Sequence, residues 1–495
     1  MMNRNRKQRI INSFSLSLIL LMFTACVPSL VEKTANKEVP ANFHNSQDTL
    51  PAFAGIQKDT MSSAQINWKE FFTDPYLNNL IEVGLENNQE LNITLQEIQI
   101  SQNEVRARKG EYLPYIGLQA GGGIEKAAKY TRDGAVEENL NIRENEAFPD
   151  PLPDYKIGAY ATWEVDVWNK LHNAKKASVF RYLSSVEGKN FMVTHLIAEI
   201  ANSYYELLAL DNQLEIIHQN IDIQSNALRI VKLQKQAARA TELAVQRFEA
   251  EVAKTKSLQY DIQQQIVETE NRINFLVGRY PQPIERNSAA FTDLVPKHIQ
   301  TGIPSTMLEN RPDIKQAELD LKAAELDIKV AKARFYPSLG ISASLGYQAF
   351  NAKYLLKTPQ SLLYSLAGDI TAPLINRNAI KADYNSANAM QVQAVYNYER
   401  TVLNAYIEVA NKVSRINNLE KSYDLVAHQV EALTKSIDIS NGLFRNARAD
   451  YMEVLLTQRD ALESKFELIE TKKKQMNALV NIYQALGGGW QYHGV

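Results

Sequence analysis

The sequence predicts a mainly helical protein that also contributes four strands to a β-barrel, and three patterns carry that prediction. The same order of motifs runs through the chain twice. Four short stretches, two in each half, alternate apolar residues with small or polar ones. The longest stretches repeat apolar residues at spacings of three and four, as a coiled-coil seam does.

The duplication sets the frame. Asn88-Gln89-Glu90-Leu91 leads through a helical stretch to Tyr112-Leu113-Pro114, and Arg311-Pro312-Asp313-Ile314 leads to Phe335-Tyr336-Pro337 at the same spacing. Asn202-Ser203-Tyr204-Tyr205-Glu206-Leu207 recurs as Asn404-Ala405-Tyr406-Ile407-Glu408-Val409. Each half reads as short helix, strand region, long helix and returning helix. The first repeat occupies 68-285 and the second 304-490, followed by a tail at 491-495. The first half carries an extra polar stretch around Arg132 to Pro153, which reads as a loop.

The alternating stretches fall near 115-126, 156-167, 338-349 and 361-372. In the second, Ile157, Ala159, Ala161, Trp163, Val165 and Val167 share a face opposite Gly158, Tyr160, Thr162, Glu164 and Asp166. In the third, Leu339, Ile341, Ala343, Leu345 and Tyr347 oppose serines, glycines and Gln348. Strands of about ten residues with this pattern match membrane-barrel strands. Four strands cannot close a barrel, and lipid tolerates no open edge, so the barrel must be shared between chains. A homotrimer supplying twelve strands is the simplest solution.

The seams lie in helices expected near 168-236, 241-278, 376-446 and 450-486. Leu207, Leu210, Leu214, Ile217, Ile221, Leu228 and Val231 form one, with Gln224 as a polar intrusion. Ile416, Leu419, Tyr423, Val426, Val430, Leu433, Ile437 and Phe444 form another, interrupted by Ser440, and Leu462 to Tyr483 returns. The first of these helices would run about 100 Å at roughly 1.5 Å per residue, so the helices are paired struts forming an α-barrel with turns away from the strands.

The N-terminus reads as an export signal over 1-25: a basic start with Arg4, Arg6, Lys7 and Arg9, an apolar run from Ile10 to Leu21, then Phe23-Thr24-Ala25-Cys26. With a cysteine at the cut, the segment resembles a bacterial lipobox, in which Cys26 becomes the lipidated first residue. Residues 26-67 are polar, broken by Pro28, Pro40 and Pro51, and read as an extended tether.

Composition excludes other classes. The 54 Lys and Arg against 56 Asp and Glu leave no basic footprint for nucleic acid. A mean hydropathy of -0.32 excludes a helical membrane protein. The seven histidines are scattered, and no nucleophile or metal motif stands in its required context. No catalysis and no cofactor is expected.

Together the words resemble a family. Phe71-Phe72-Thr73-Asp74-Pro75-Tyr76-Leu77, Trp163-Glu164-Val165-Asp166-Val167-Trp168, Arg311-Pro312-Asp313-Ile314 with Gln316-Ala317-Glu318, Tyr336-Pro337-Ser338, Ala372-Pro373-Leu374 and Ala485-Leu486-Gly487-Gly488-Gly489-Trp490 are similar, in that order, to the motifs of TolC-like outer-membrane factors. The lipobox is closest to the lipoprotein branch associated with resistance-nodulation-division (RND) pumps. The resemblance implies a lipid-anchored outer-membrane exit duct that conducts passively. An inner-membrane RND-type pump supplies energy, and a periplasmic adaptor docks at the helical tip. It places a gate near Arg448, Asp450 and Glu453, and adaptor contacts near Lys235, Arg239, Glu242 and Arg445. The tip departs from the family, which commonly has glycine where Ala238 and Ala447 lie. Most motif residues read as serving the fold: Asp74 and Pro312 at helix starts, Gly487 at a helix end. A protein-secretion duct and a purely structural coiled-coil lipoprotein stand as alternatives. The cargo is not legible, because the nine methionines are dispersed.

Overall fold

Hydrogen bonding between alternating segments builds the first part of the molecule. The computed structural model describes residues 28–29, 32–40, 62–294, 304–446 and 448–491, so the expected lipidation site Cys26 lies outside the described residues. The chain divides into two compact units. One gathers Gln99–Leu183, Leu319–Tyr396 and the described residues before 35; the other gathers Ala35–Ile98, Ser184–Glu318 and the described residues from Asn397 onward.

The first unit holds a four-stranded antiparallel sheet in the order β1 (Tyr115–Glu125), β4 (Leu152–Val165), β5 (Ser338–Ala349), β6 (Leu362–Thr371). The two hairpins of the two repeats are joined by β4 pairing with β5. Register converts the period-two pattern into two faces. Leu118, Ala159, Leu345 and Tyr364 form one row, Ile116, Ala161, Ala343 and Leu366 the next, and Trp163, Ile341 and Gly368 another. Gly117, Tyr160, Ser344 and Ser365 form a row on the opposite face, as do Glu164, Gly340 and Asp369. Gly117 is needed there: a Cβ would stand 2.8 Å from the Tyr160 ring that lies against it.

The stretch after β1, expected as a loop, is ordered into a helix α4 (Arg132–Asn139) and a small hairpin, β2 (Asn141–Arg143) with β3 (Glu146–Ala147). Thr131 starts α4 by accepting from Gly134 N at 3.2 Å, with Asp133 in the first turn. Asn145 in the left-handed region, φ 57°, turns the hairpin.

Helices enter and leave the sheet at one end. α3 (Gln89–Glu111) precedes β1, and α5 (Lys170–Gln236) follows β4. α8 (Pro312–Ala333) precedes β5, and α9 (Asn378–Arg445) follows β6. The others are α1 (Trp68–Phe71), α2 (Pro75–Asn87), α6 (Glu242–Leu276), α7 (Pro304–Asn310) and α10 (Tyr451–Ala485). Among the described residues no helix is long and apolar enough to cross a membrane.

In the second unit these helices share a hub. Asp74 caps α2 by accepting from Tyr76 N at 2.8 Å, and its other oxygen accepts from Tyr204 Oη at 2.7 Å. Phe71 stacks on Tyr483 at 4.1 Å, and Tyr483 donates to Ile66 O. Arg311, just before α8, donates to both oxygens of Asp313, to Glu408 at 2.9 Å and to Ala485 O at 2.7 Å. Gly487 ends α10 at φ 88°, where a Cβ would stand 2.6 Å from Asn310 O. α5 and α9 run 67 and 68 residues. Aligned on the turns that end them, Glu199-Ile200-Ala201-Asn202 matches Glu408-Val409-Ala410-Asn411, so the recurrence placed at Asn404 moves seven residues along.

The described part of the N-terminal segment is extended and held. In the first unit Gln391 makes two bonds to the Lys33 backbone, at 3.2 and 2.7 Å, and Glu32 pairs with Lys329. In the second, Asn36 N donates to Glu399 and Lys37 pairs with Glu318.

Candidate functional site

Two places hold the residues of interest: the faces of the sheet, and the turns that join α5 to α6 and α9 to α10. On the apolar sheet face Ile116, Leu118, Ile124, Tyr364, Leu366 and Ile370 are each more than two-thirds exposed. A contiguous apolar face of this kind cannot be left in water, and its composition suits hydrocarbon. Trp163 near one end of β4 and Tyr155 near the other lie on this face, where an aromatic girdle borders a bilayer. The Trp163 indole donates to Tyr112 O at 3.0 Å. Below the strands Trp168 stacks on Tyr336 at 4.6 Å and donates to Pro337 O. β1 and β6 each leave one edge unpaired within the chain.

At the first turn Ala238 adopts φ 56°, which costs an alanine roughly 1 kcal/mol more than a glycine. Its amide donates to Lys235 O, and Thr241 caps α6 by accepting from Ala244 N. Lys235 pairs with Glu242 across the turn. The Lys235 ammonium and the Gln246 amide hold the Glu242 carboxyl below the usual carboxylate range. Arg239 is exposed, as is Arg445 at the end of α9.

At the second turn Arg448 N donates to Leu443 O, and Asp450 stands at the start of α10 without a side-chain cap bond. Arg448 and Asp450 are exposed, and among the described residues neither joins an ion pair. Glu453 lines an open cleft between α9 and α10 with Ser436, Ile439, Leu456, Thr457 and Asp460. Of the residues singled out in the sequence, Lys235 and Glu242 are therefore brought together. The others stand separately on the two turns.

The sequence flagged Gln224 but not its surroundings. Gln224 on α5 and Gln458 on α10 are 0% and 1% exposed, and neither amide atom of either has a partner among the described residues. Asn220 Oδ1 is likewise unpartnered and lines a small cavity with Gln458, Gln219 and Lys465. The signal for Gln458 was its place between Val454 and Ala461-Leu462, a seam position.

An amphipathic sheet with both edges open, continued by long helices that cannot themselves span a membrane, defines a subunit of a membrane-barrel channel. The family described as outer membrane efflux protein matches residues 80–279 and 303–488, more than half of the chain, and the chain belongs to that family. It is an outer-membrane efflux channel protein and not an enzyme. The pyoverdine export outer membrane protein OpmQ of Pseudomonas aeruginosa is 26% identical over 427 residues, 86% of this chain and 87% of OpmQ. The cation efflux system protein CusC of Escherichia coli O6:H1 is 24% identical over 96% of this chain and 98% of CusC. The probable outer membrane lipoprotein SilC of Salmonella typhimurium is 23% identical over 91% of this chain and 93% of SilC. The solved open state of the MtrE outer membrane channel of Neisseria gonorrhoeae has the same fold, with a TM-score of 0.80 and 21% identity over 94% of this chain and 99% of MtrE.

Proposed function

We propose that three copies of this chain form the exit duct of a tripartite efflux system, passively conducting small molecules delivered by an RND-type inner-membrane pump and a periplasmic adaptor. One observation carries the reading: the open edges of the sheet repeat, at the chain's limits, the junction already made at its centre. Within the chain β4 of the first repeat pairs with β5 of the second, and Trp168 covers Tyr336 just below. In the duplicated frame Ile375 corresponds to Trp168 and Leu113 to Tyr336, and these two are 90% and 49% exposed. A neighbouring copy would pair its β1 with this β6 and cover Ile375 with its Leu113. The unpartnered Nε and Nη1 of Arg377 beside Ile375 fit the same contact. Three copies give twelve strands, within the range that closes in lipid.

The exposed Arg448, Asp450 and Glu453 are the candidates for the gate, where threefold symmetry would make each acid a ring. Lys235, Arg239, Glu242 and Arg445, beside them on the turns, are the candidates for adaptor contact. Lipidation at Cys26 would add an anchor to outer-membrane lipid, as the name of SilC suggests for that relative. Relatives of this fold are named for pyoverdine, toluene and cations, which supports a duct whose cargo is chosen by the pump.

The test is light scattering of the detergent-solubilised chain, with a cysteine pair at Ile375→Cys and Leu113→Cys. A trimer that cross-links between copies is expected. A monomer, or cross-links only within one chain, would overturn the shared barrel.

A further inference from the structure

We propose that the loop joining β5 to β6 binds phosphate groups of the glycolipid in the outer leaflet, through Lys353, Lys357 and Arg143. The inference rests on the barrel reading above, because all four helix connections lie at one end of the strands and this loop lies at the other. With the helices in the periplasm, the loop faces outward at the level of lipid headgroups.

The geometry is a cation cluster on a fixed aromatic platform. Tyr354 is held by its own carbonyl, which accepts from Ser361 Oγ at 2.7 Å, and it lies 5.4 Å from the Phe350 ring. Around its ring stand Arg143 at 4.3 Å, Lys353 at 4.6 Å and Lys357 at 4.9 Å. A ring has two faces, so at least two of these cations share one and repel each other. A single carboxylate answers them: Glu146, 3.7 Å from Arg143 and 3.5 Å from Tyr354 Oη. Among the other acids of the same end, Glu138 pairs with Lys129, Asp150 with Lys126 and Asp133 with Arg132, and among the described residues none of Glu125, Glu137, Glu144 and Asp154 pairs with these three cations. Around the ring itself three cations face one carboxylate.

What sits beside the cations identifies the source of the balancing charge. The five residues Lys353-Tyr354-Leu355-Leu356-Lys357 bracket apolar side chains with lysines, and Leu356 is 73% exposed. The loop then runs directly into Leu362 and Tyr364 on the lipid-facing side of the sheet. Cations above an apolar ledge, with an aromatic at the boundary, match a lipid that carries phosphate over acyl chains. A soluble anion would have no use for the exposed leucine.

The experiment uses the full chain in detergent micelles doped with diphosphorylated lipid A, and quantifies retained lipid by mass spectrometry after washing. A Lys353→Gln, Lys357→Gln double variant should retain at least about tenfold less, and retention by the parent should fall with salt. Leu356→Ser should lose a smaller, few-fold amount. Equal retention by parent and double variant, or equal retention of a dephosphorylated lipid, overturns the proposal. So does a double variant with a smaller particle mass but unchanged lipid per chain, which would show the lysines serving a neighbouring copy. Labelling an Ala352→Cys variant on intact cells with a membrane-impermeant maleimide, against the parent chain, tests the outward orientation separately. Absence of labelling would fail the barrel reading and not the lipid chemistry.

Discussion

In the hub, Arg311 is almost wholly buried and three groups answer its guanidinium with four hydrogen bonds: the carboxylates of Asp313 and Glu408 and the carbonyl of Ala485. Further along, in the seam of α5 and α10, Gln224 and Gln458 are equally buried and their amides bond to nothing among the described residues. α10 is thus cemented at one level and under-satisfied at another. An unanswered buried amide costs about 1–3 kcal/mol, so a rearrangement that wets or pairs it is favoured. The contrast marks the hub as the firmer and the seam as the more yielding level of the second unit.

The largest expected effect tests the cemented level. Arg311→Met should cost about 3 kcal/mol in denaturant unfolding of the helical signal, because it leaves two half-buried carboxylates, Asp313 and Glu408, and the Ala485 carbonyl without their shared donor. Burial pushes the Glu408 carboxyl up, but Arg311 and Lys412 hold it on balance below its ordinary value of 4.5. A depressed carboxylate contributes stability that is complete above its unfolded pKa and is lost as pH falls through the folded value. The penalty of Arg311→Met should therefore shrink below about pH 4, and a pH-independent penalty would mean that the ion network is not its cause.

A smaller effect of opposite sign is expected further along. Gln224→Leu with Gln458→Leu should stabilise the seam by about 1–3 kcal/mol and slow amide exchange in the last turns of α5. Destabilisation would show that the amides find partners in the assembly, and would erase the contrast. The smallest effect on folding is expected at the turn. Asp450→Ala should change stability by less than about 0.5 kcal/mol yet raise single-channel conductance. Unchanged conductance would remove Asp450 from the gate.

The strands were legible because lipid demands an unbroken alternation, and the registers pair Leu118, Ala159, Leu345 and Tyr364 in one apolar row. The long helices were legible from their seams, and Gln224 announced itself as the odd residue. Gln458 was passed over although it holds a seam position between Val454 and Ala461, because the sequence does not show which side chains it faces. The helix at Arg132–Asn139 was missed because its eight residues bury only Gly134, so no apolar stripe marks it, although Thr131 is an ordinary N-cap. The bonds from Gln391 to Lys33 join residues 358 apart, a relation that no local pattern encodes. At the turns, residue types pointed to the right segments, but only the fold pairs Lys235 with Glu242 and, among the described residues, leaves Asp450 outside any ion pair.

The order of strands in the sheet has a genetic consequence. In the proposed ring, because β1 and β6 are different edges, each copy would offer one neighbour a surface unlike the one it offers the other, and closure would need every junction sound. A variant spoiled at one edge still joins through the other and is drawn into rings it cannot complete. Expressed equally with the parent, it would leave only about an eighth of three-membered rings free of the defect. Edge alleles should therefore be dominant, whereas alleles that merely prevent a chain from folding should be recessive.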